Sequence, residues 1–230
     1  MPQPPVDARW PKVLSLAVHE FRTPTTVVAG YIRMLLKERA GPLPEPQRRL
    51  LEEAEKSCGR LSALLAEMSD LSGLEAGTAT FNRAPLDLRA AMTDAAAGLP
   101  ELTDRPVTID LQVGAGPAMI QADPVRLRAA FAAVFTALRR ELVTSTTLAV
   151  RERTGEREGH AASWITVADP EQLATVVAAD EAGLGPFDEW RGGCGLTLPI
   201  ARRVIEAHGG RIWSPLTDAK AGAVIALPHL

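Results

Sequence analysis

One histidine, His19, stands in a long helical pattern, followed at once by an acid, Glu20, and one turn later by Thr23 and Pro24. An imidazole is neutral over part of the physiological pH range, and its unprotonated nitrogen is a nucleophile. Attack needs that nitrogen free while an acceptor holds the other. Arg22 places a cation and Thr23 a hydroxyl within the same turn. A lone histidine on a helix is more often a plain surface or core residue, so the surrounding pattern decides what His19 can do.

That pattern spans residues 14–36, where Leu14, Val18, Phe21, Thr25, Val28, Ile32 and Leu35 recur in alternating steps of four and three. Such a repeat forms the seam of helices packed as in a coiled coil. His19 follows the seam residue Val18 and so falls on the flank, within reach of water and a partner. Pro24 removes a backbone hydrogen bond and is expected to bend the helix one turn past His19. After a Gly41-Pro42 stop, residues 46–71 give a second helix. Its seam is Leu51, Ala54, Cys58, Leu61, Leu65 and Met68, widened by Leu50, Leu64 and Leu71. A hairpin with so wide an apolar face cannot cover it alone, and a homodimer forming a four-helix bundle is the expected solution. Cys58, on the seam, reads as a small core residue.

The 230 residues carry a net charge of −3, with 46% hydrophobic and 23% charged residues, as an ordinary folded protein does. There is no basic footprint for nucleic acid. Two cysteines, Cys58 and Cys194, make no disulfide framework. With no apolar run of membrane-spanning length and no signal-peptide core, a cytoplasmic protein, or a cytoplasmic piece of a longer one, is expected. Beyond the Pro-rich start at residues 2–5, no low-complexity segment or repeat is present.

The hexapeptide His19-Glu20-Phe21-Arg22-Thr23-Pro24 resembles the phosphoacceptor box of sensor histidine kinases. The resemblance implies that His19 is phosphorylated and that Glu20 orients its ring and takes up the proton. It also implies that Thr23 positions a water for removing phosphate from a response regulator. Arg22 could aid the incoming phosphate.

The chain divides into a hairpin over 1–75, a linker over 76–84 and a mixed α/β domain over 85–230. Helices are expected at 86–99, opened by Asp87, and after Asp123-Pro124, with Leu127, Phe131, Val134 and Leu138 inward. A short helix or turn at 171–177 and a last helix at 195–207, stopped by His208-Gly209-Gly210, complete the set. Strands are expected at 107–113, 118–121, 146–151, 163–168, 211–214 and 223–227, the last two as a hairpin pair. This order is similar to the ATP-binding domain of histidine kinases, an α/β sandwich shared with gyrase-type ATPases. The run from Gly195-Leu196-Thr197-Leu198 to His208-Gly209-Gly210-Arg211-Ile212 is its most specific part.

The same resemblance exposes departures. Active members carry two asparagines on the helix after Asp123-Pro124, the second holding magnesium. Ala133 and Ala137 stand there, and neither supplies the oxygen ligand Mg²⁺ requires. Phosphoryl transfer from ATP leans on that metal. The Asp-x-Gly-x-Gly motif survives only as Asp169, followed by Pro170 and Leu173. A shortened lid over 180–192 contains Pro186-Phe187-Asp188-Glu189-Trp190, faintly similar to the family's phenylalanine box. The last glycine loop is kept as Gly193-Cys194-Gly195, able to offer backbone amides to a phosphate. Asp169, Gly193 and Gly195 are thus the remnants of a nucleotide site, and no metal ligand is expected.

The expected function is phosphotransfer: His19 exchanges phosphate with a response regulator receiver domain, or receives it from another histidine kinase, beside a pseudokinase domain. No cofactor is expected. One alternative is an ATP- and magnesium-dependent kinase that phosphorylates His19, with Glu141 or Asp169 standing in for the lost asparagines. Another is a non-catalytic dimeric scaffold that binds a response regulator or a kinase.

Overall fold

The computed structural model describes residues 9–102, 105–179, 183–216 and 222–230; Pro2–Pro5 and Asp180 of the sequence reading lie outside them. The chain forms two compact units, Met1–Ala79 and Thr80–Leu230.

The first unit is a hairpin of α1, Trp10–Leu36, and α2, Glu45–Glu75. The first helix starts earlier than its apolar repeat because Pro11, preset for helical φ, occupies its first turn. It continues through Pro24, whose missing N–H leaves the Glu20 carbonyl without a helical donor. Just beyond, the Thr25 and Thr26 hydroxyls donate to the carbonyls of Phe21 and Arg22, both at 2.8 Å. The Ser72 hydroxyl is buried and donates to the Pro11 carbonyl at 2.8 Å, pinning the end of α2 to the start of α1. At the other end Ala29, Ile32 and Cys58 form a cluster with Leu36, Leu51 and Ala54 against it. Cys58 is a core residue, as expected.

The predicted seam divides. Leu14, Val18 and Ile32 of α1 and Cys58 and Leu65 of α2 are buried, whereas Phe21, Val28, Leu35, Leu50, Leu61 and Leu64 are exposed. Ala29 replaces Val28 at the contact. One partner helix covers a single line of side chains, so half of the repeat faces outward.

The second unit is a six-stranded sheet in the order β2-β4-β5-β8-β7-β6, with a two-stranded ribbon of β1 and β3. The strands are β1, Ala84–Asp87; β2, Thr108–Gln112; β3, Met119–Ala122; β4, Thr147–Arg157; β5, His160–Ala168; β6, Leu184–Pro186; β7, Arg211–Pro215; and β8, Gly222–Pro228. Only the β2–β4 pair is parallel among them. The expected hairpin pair is β7 and β8. The helices are α3, Leu88–Ala97; α4, Pro124–Glu141; α5, Leu173–Ala178; and α6, Thr197–Ala207. Two expectations are corrected. Residues 86 and 87 close strand β1, paired with β3, and only then does α3 start, capped by Asp87. The loop before the last helix contains β6, because Pro186 pairs with Trp213 on the sheet edge.

Helix α4 packs against α3, α6 and the sheet, burying Leu127, Phe131, Val134 and Leu138 as predicted. The strand residues on that side, among them Val150, Ile165 and Ile225, are completely buried. On the other face Trp164 stacks on Trp213 at 5.7 Å, with Arg153 over the first ring and Arg157 and Arg211 over the second. Arginine stems thus help cover a face on which α5 also packs. Buried at one end of the sheet, Arg89 donates from Nε (2.8 Å) and Nη2 (3.1 Å) to Glu152, which also accepts from Ser163 and the Gly114 amide. Burial pushes the Glu152 carboxyl up, but these bonds outweigh it and hold the group below its ordinary 4.5.

A second knot ties α4 to α6. Asp123 caps α4 by accepting from Val125 and Arg126 and also accepts from the Asn82 amide, while its own N–H donates to His208 Nε2 at 2.9 Å. His208 Nδ1 lies 2.7 Å from the Val204 carbonyl, so the buried ring holds its proton there and is neutral. Burial lowers its pKa below the ordinary 6.5, outweighing the bond to Val204. The unfolded chain therefore binds the extra proton first. The stability from the neutral ring is full above pH 6.5 and is lost as pH falls below it toward the depressed value. His208→Phe leaves the Asp123 amide unpaired and should destabilise unit 2 by about 1–3 kcal/mol at pH 8. Urea titrations at pH 8 and 5.5 should show the parent losing stability over this interval more steeply than the variant. Equal losses would show that His208 is not a source of the pH dependence.

Candidate functional site

His19 is on α1 five residues before Pro24, with its side chain 80% exposed. Its Nδ1 lies 3.6 Å from Glu20 Oε1, so the carboxylate stands on that side of the ring. At about 100° per residue, His19 is roughly opposite Phe21 on the helix and well off the buried line of Leu14 and Val18. Glu20, Arg22, Thr23 and Pro24 are all exposed. The hexapeptide is therefore an open chemical surface. What it can do is present an unhindered imidazole nitrogen, with an acid beside the other one.

Several of the exposed apolar residues make a separate stripe. Phe21, Val28 and Leu35 follow at seven-residue steps, and on α2 Leu50 and Leu61 fall to the same side of the buried line. Phe21 is 59% exposed and Leu50 73%. This stripe leaves His19 on the other flank of α1.

In unit 2 the residues of the expected nucleotide motifs have partners within the fold. Ala137 is completely buried, and a methyl added to Gly192 would stand 2.9 Å from its Cβ and 3.0 Å from its carbonyl oxygen. The Gly192 backbone thus lies closely against Ala137. Gly192 holds this contact at a φ of +69°, open to glycine and strained for others. Glu141, one turn beyond Ala137, grips the neighbouring Arg191. Nε donates to both carboxylate oxygens at 2.8 and 2.9 Å, Nη2 contacts Oε2, and Nη1 donates to the Gly222 carbonyl at 2.9 Å. The Ser145 hydroxyl shares its one proton between the two Asp169 oxygens, at 2.8 and 2.9 Å, and Asp169 also accepts from the Glu171 amide. Glu141 and Asp169, the two carboxylates considered as stand-ins for the expected asparagines, are both engaged within the fold. Gly193 and Gly195 have open space beside them and positive φ, and the Gly193 carbonyl accepts from Arg140 at 3.5 Å. Of the expected aromatic pair in the lid, Phe187 is buried and Trp190 is 70% exposed.

Among the described residues no group of three or more His, Cys, Asp or Glu is placed to hold a metal ion, and no helix is long and apolar enough to cross a membrane. Sequence reasoning missed Arg191, Gly192 and Ser145. An arginine 50 residues from its acid leaves no periodic trace, and nothing local marks Gly192 as the glycine that touches Ala137.

Residues 12–77 match the family model described as His Kinase A (phospho-acceptor) domain. The chain is 30% identical over 204 residues to the circadian input-output histidine kinase CikA of Synechococcus elongatus, covering 86% of this chain and 27% of that protein. It is 28% identical over 202 residues to the sensor protein GacS of Pseudomonas syringae pv. syringae, covering 84% and 22%. The chain thus spans about a quarter of the length of these curated relatives. Its fold is similar to full-length ShkA solved in complex with AMPPNP (TM-score 0.65, 23% identity, 95% of this chain and 46% of that one). It is also similar to the histidine kinase AdeS of Acinetobacter baumannii (TM-score 0.55, 18% identity, 92% and 98%).

The glycine loop offers a check on this packing. Gly193→Ala meets only the strain of positive φ and should destabilise by about 1–2 kcal/mol. Gly192→Ala adds the clash with Ala137, which should cost about 1–3 kcal/mol more. Urea denaturation of both variants measures the difference; equal losses would place Ala137 away from Gly192.

Proposed function

We propose, from the premise that this chain belongs to the sensor histidine kinases, that it works as a phosphotransfer protein with His19 as the phosphoacceptor. The observation that carries the reading is an exposed His19 with Glu20 against Nδ1, inside the matched phospho-acceptor domain. A carboxylate beside Nδ1 favours the tautomer with its proton there, which leaves the Nε2 lone pair for attack. On that tautomer Nε2 attacks the phosphorus of an aspartyl phosphate on a receiver domain. An N–P bond forms, the P–O bond breaks, and the aspartate leaves as its carboxylate. The reverse step passes the phosphate on, and another histidine kinase is a further source. Thr23, four residues past His19, serves in removing phosphate from the partner.

Two features support unit 2 as a domain that no longer uses ATP. Ala133 and Ala137 carry no ligand oxygen, and the nearby carboxylates Glu141 and Asp169 are both committed to partners within the fold. The competing reading is an ATP-dependent kinase that phosphorylates itself, favoured by one finding: the similar ShkA was solved in complex with AMPPNP. The exposed stripe of Phe21, Val28, Leu35, Leu50 and Leu61 supports a homodimer closing a four-helix bundle. Receiver-domain exchange belongs to the cytoplasm, and the chain is assigned there on this reading.

The chain should take up labelled phosphate when mixed with an acetyl-phosphate-charged receiver domain, and His19→Ala should reduce the label at least a hundredfold. With labelled Mg-ATP alone no label should appear. Label from ATP on His19 would establish the autokinase reading, and a His19→Ala variant with undiminished control of its partner would establish the scaffold. Sedimentation at tens of micromolar should show a dimer, which Phe21→Glu with Leu61→Glu converts to a monomer; a monomeric parent would remove the bundle from the proposal.

A further inference from the structure

Loss of two asparagines would by itself leave a hollow beside α4 that a reverting pair could refill. Among the described residues, the loop at Gly192 lies against that part of α4. Ala137 is fully buried, with Gly192 backbone against it, and that backbone is fixed from its neighbour. Arg191 is held by a bidentate pair to Glu141 at the end of α4 and by the Gly222 carbonyl at the start of β8. Both partners of the ion pair are largely buried, Arg191 at 9% and Glu141 at 17% side-chain exposure. A planar guanidinium gripping a carboxylate with two parallel bonds sets direction as well as distance, which a lysine would not. One side chain therefore staples a helix, a loop and a strand.

We propose that Arg191 is a positioning residue that closes unit 2 to nucleotides, by holding Gly192 in the volume that the side chain at 137 and a bound phosphate chain would share. The inference rests on the reading above that unit 2 resembles an ATP-binding domain that does not use ATP. It adds that the site is filled as well as stripped of ligands. Restoring the ligands alone then fails, because three added heavy atoms at residue 137 meet the stapled loop. Releasing the staple without stranding a buried charge requires changing both partners together.

The test is calorimetry with Mg-ATP on the unmodified chain, on Ala133→Asn with Ala137→Asn, and on that variant carrying Glu141→Gln and Arg191→Met as well. The unmodified chain and the two-asparagine variant should give no binding heat, and the fourfold variant should bind at least tenfold more tightly than either. If the two-asparagine variant binds as well as the fourfold one, or the fourfold variant is folded by circular dichroism and still silent, the proposal is overturned. Binding by the unmodified chain would instead overturn the reading it rests on. Should the fourfold variant not fold, hydrogen exchange on Arg191→Lys decides. The Gly192 and Gly193 amides should exchange at least tenfold faster while the middle of α4 is unchanged, and an unaltered rate would refute the staple.

Discussion

Unit 2 depends on one carboxylate. Asp123 neutralises the free amides at the start of α4, takes the Asn82 amide where the chain enters the unit, and through its own N–H engages His208 at the end of α6. Burial pushes its carboxyl up, but the backbone bonds from Arg126, Asn82 and Val125 outweigh it and keep the group below its ordinary 3.8. Three parts of the chain meet at this residue, and the buried face of α4 is aimed at the sheet as a result. The neutral His208 is the necessary counterpart, since a charged ring would have no acceptor for its second proton: Nε2 already receives the Asp123 amide.

The hairpin obeys a different constraint. Two helices touch along one line, yet its sequence carries apolar residues for nearly two. At one end, packing within the hairpin uses small or branched residues, Ala29, Ile32 and Cys58, which let the backbones approach. The larger Phe21, Leu50 and Leu61 stay outside. His19 avoids both groups. On the α1 flank away from Phe21, neither kind of packing buries it, and its side chain is 80% exposed.

On the reading proposed above, the alanines of α4 belong to a nucleotide site that has been packed over. Once residue 137 lacks a side chain beyond Cβ, a glycine loop can settle on it, and the nearby acid Glu141 finds an internal cation in Arg191. Close-packed interiors do not keep unused volume, because unmade contacts are lost dispersion energy. Asp169 shows the same tendency on a smaller scale, its carboxylate satisfied by Ser145 and the turn that follows it.

Much of this was legible in the chain. The two long helices, the caps at Asp87 and Asp123, the stop at His208-Gly209-Gly210 and the apolar face of α4 are written in local periodicity and capping chemistry, which act over a few residues. The exposure of His19 was legible too, because helical phase is local. Strand β6, the sheet order, the Arg89–Glu152 pair and the Arg191–Glu141 staple were not, since each joins residues that only the folded topology brings together. The sequence alone determined that a histidine, an acid and a threonine share an exposed helical turn, and that the asparagine positions hold alanine. Tertiary structure alone decided which apolar residues of the hairpin are covered and what fills the space beside Ala137. Those outcomes depend on long-range packing and on charges that find each other only after the chain has closed.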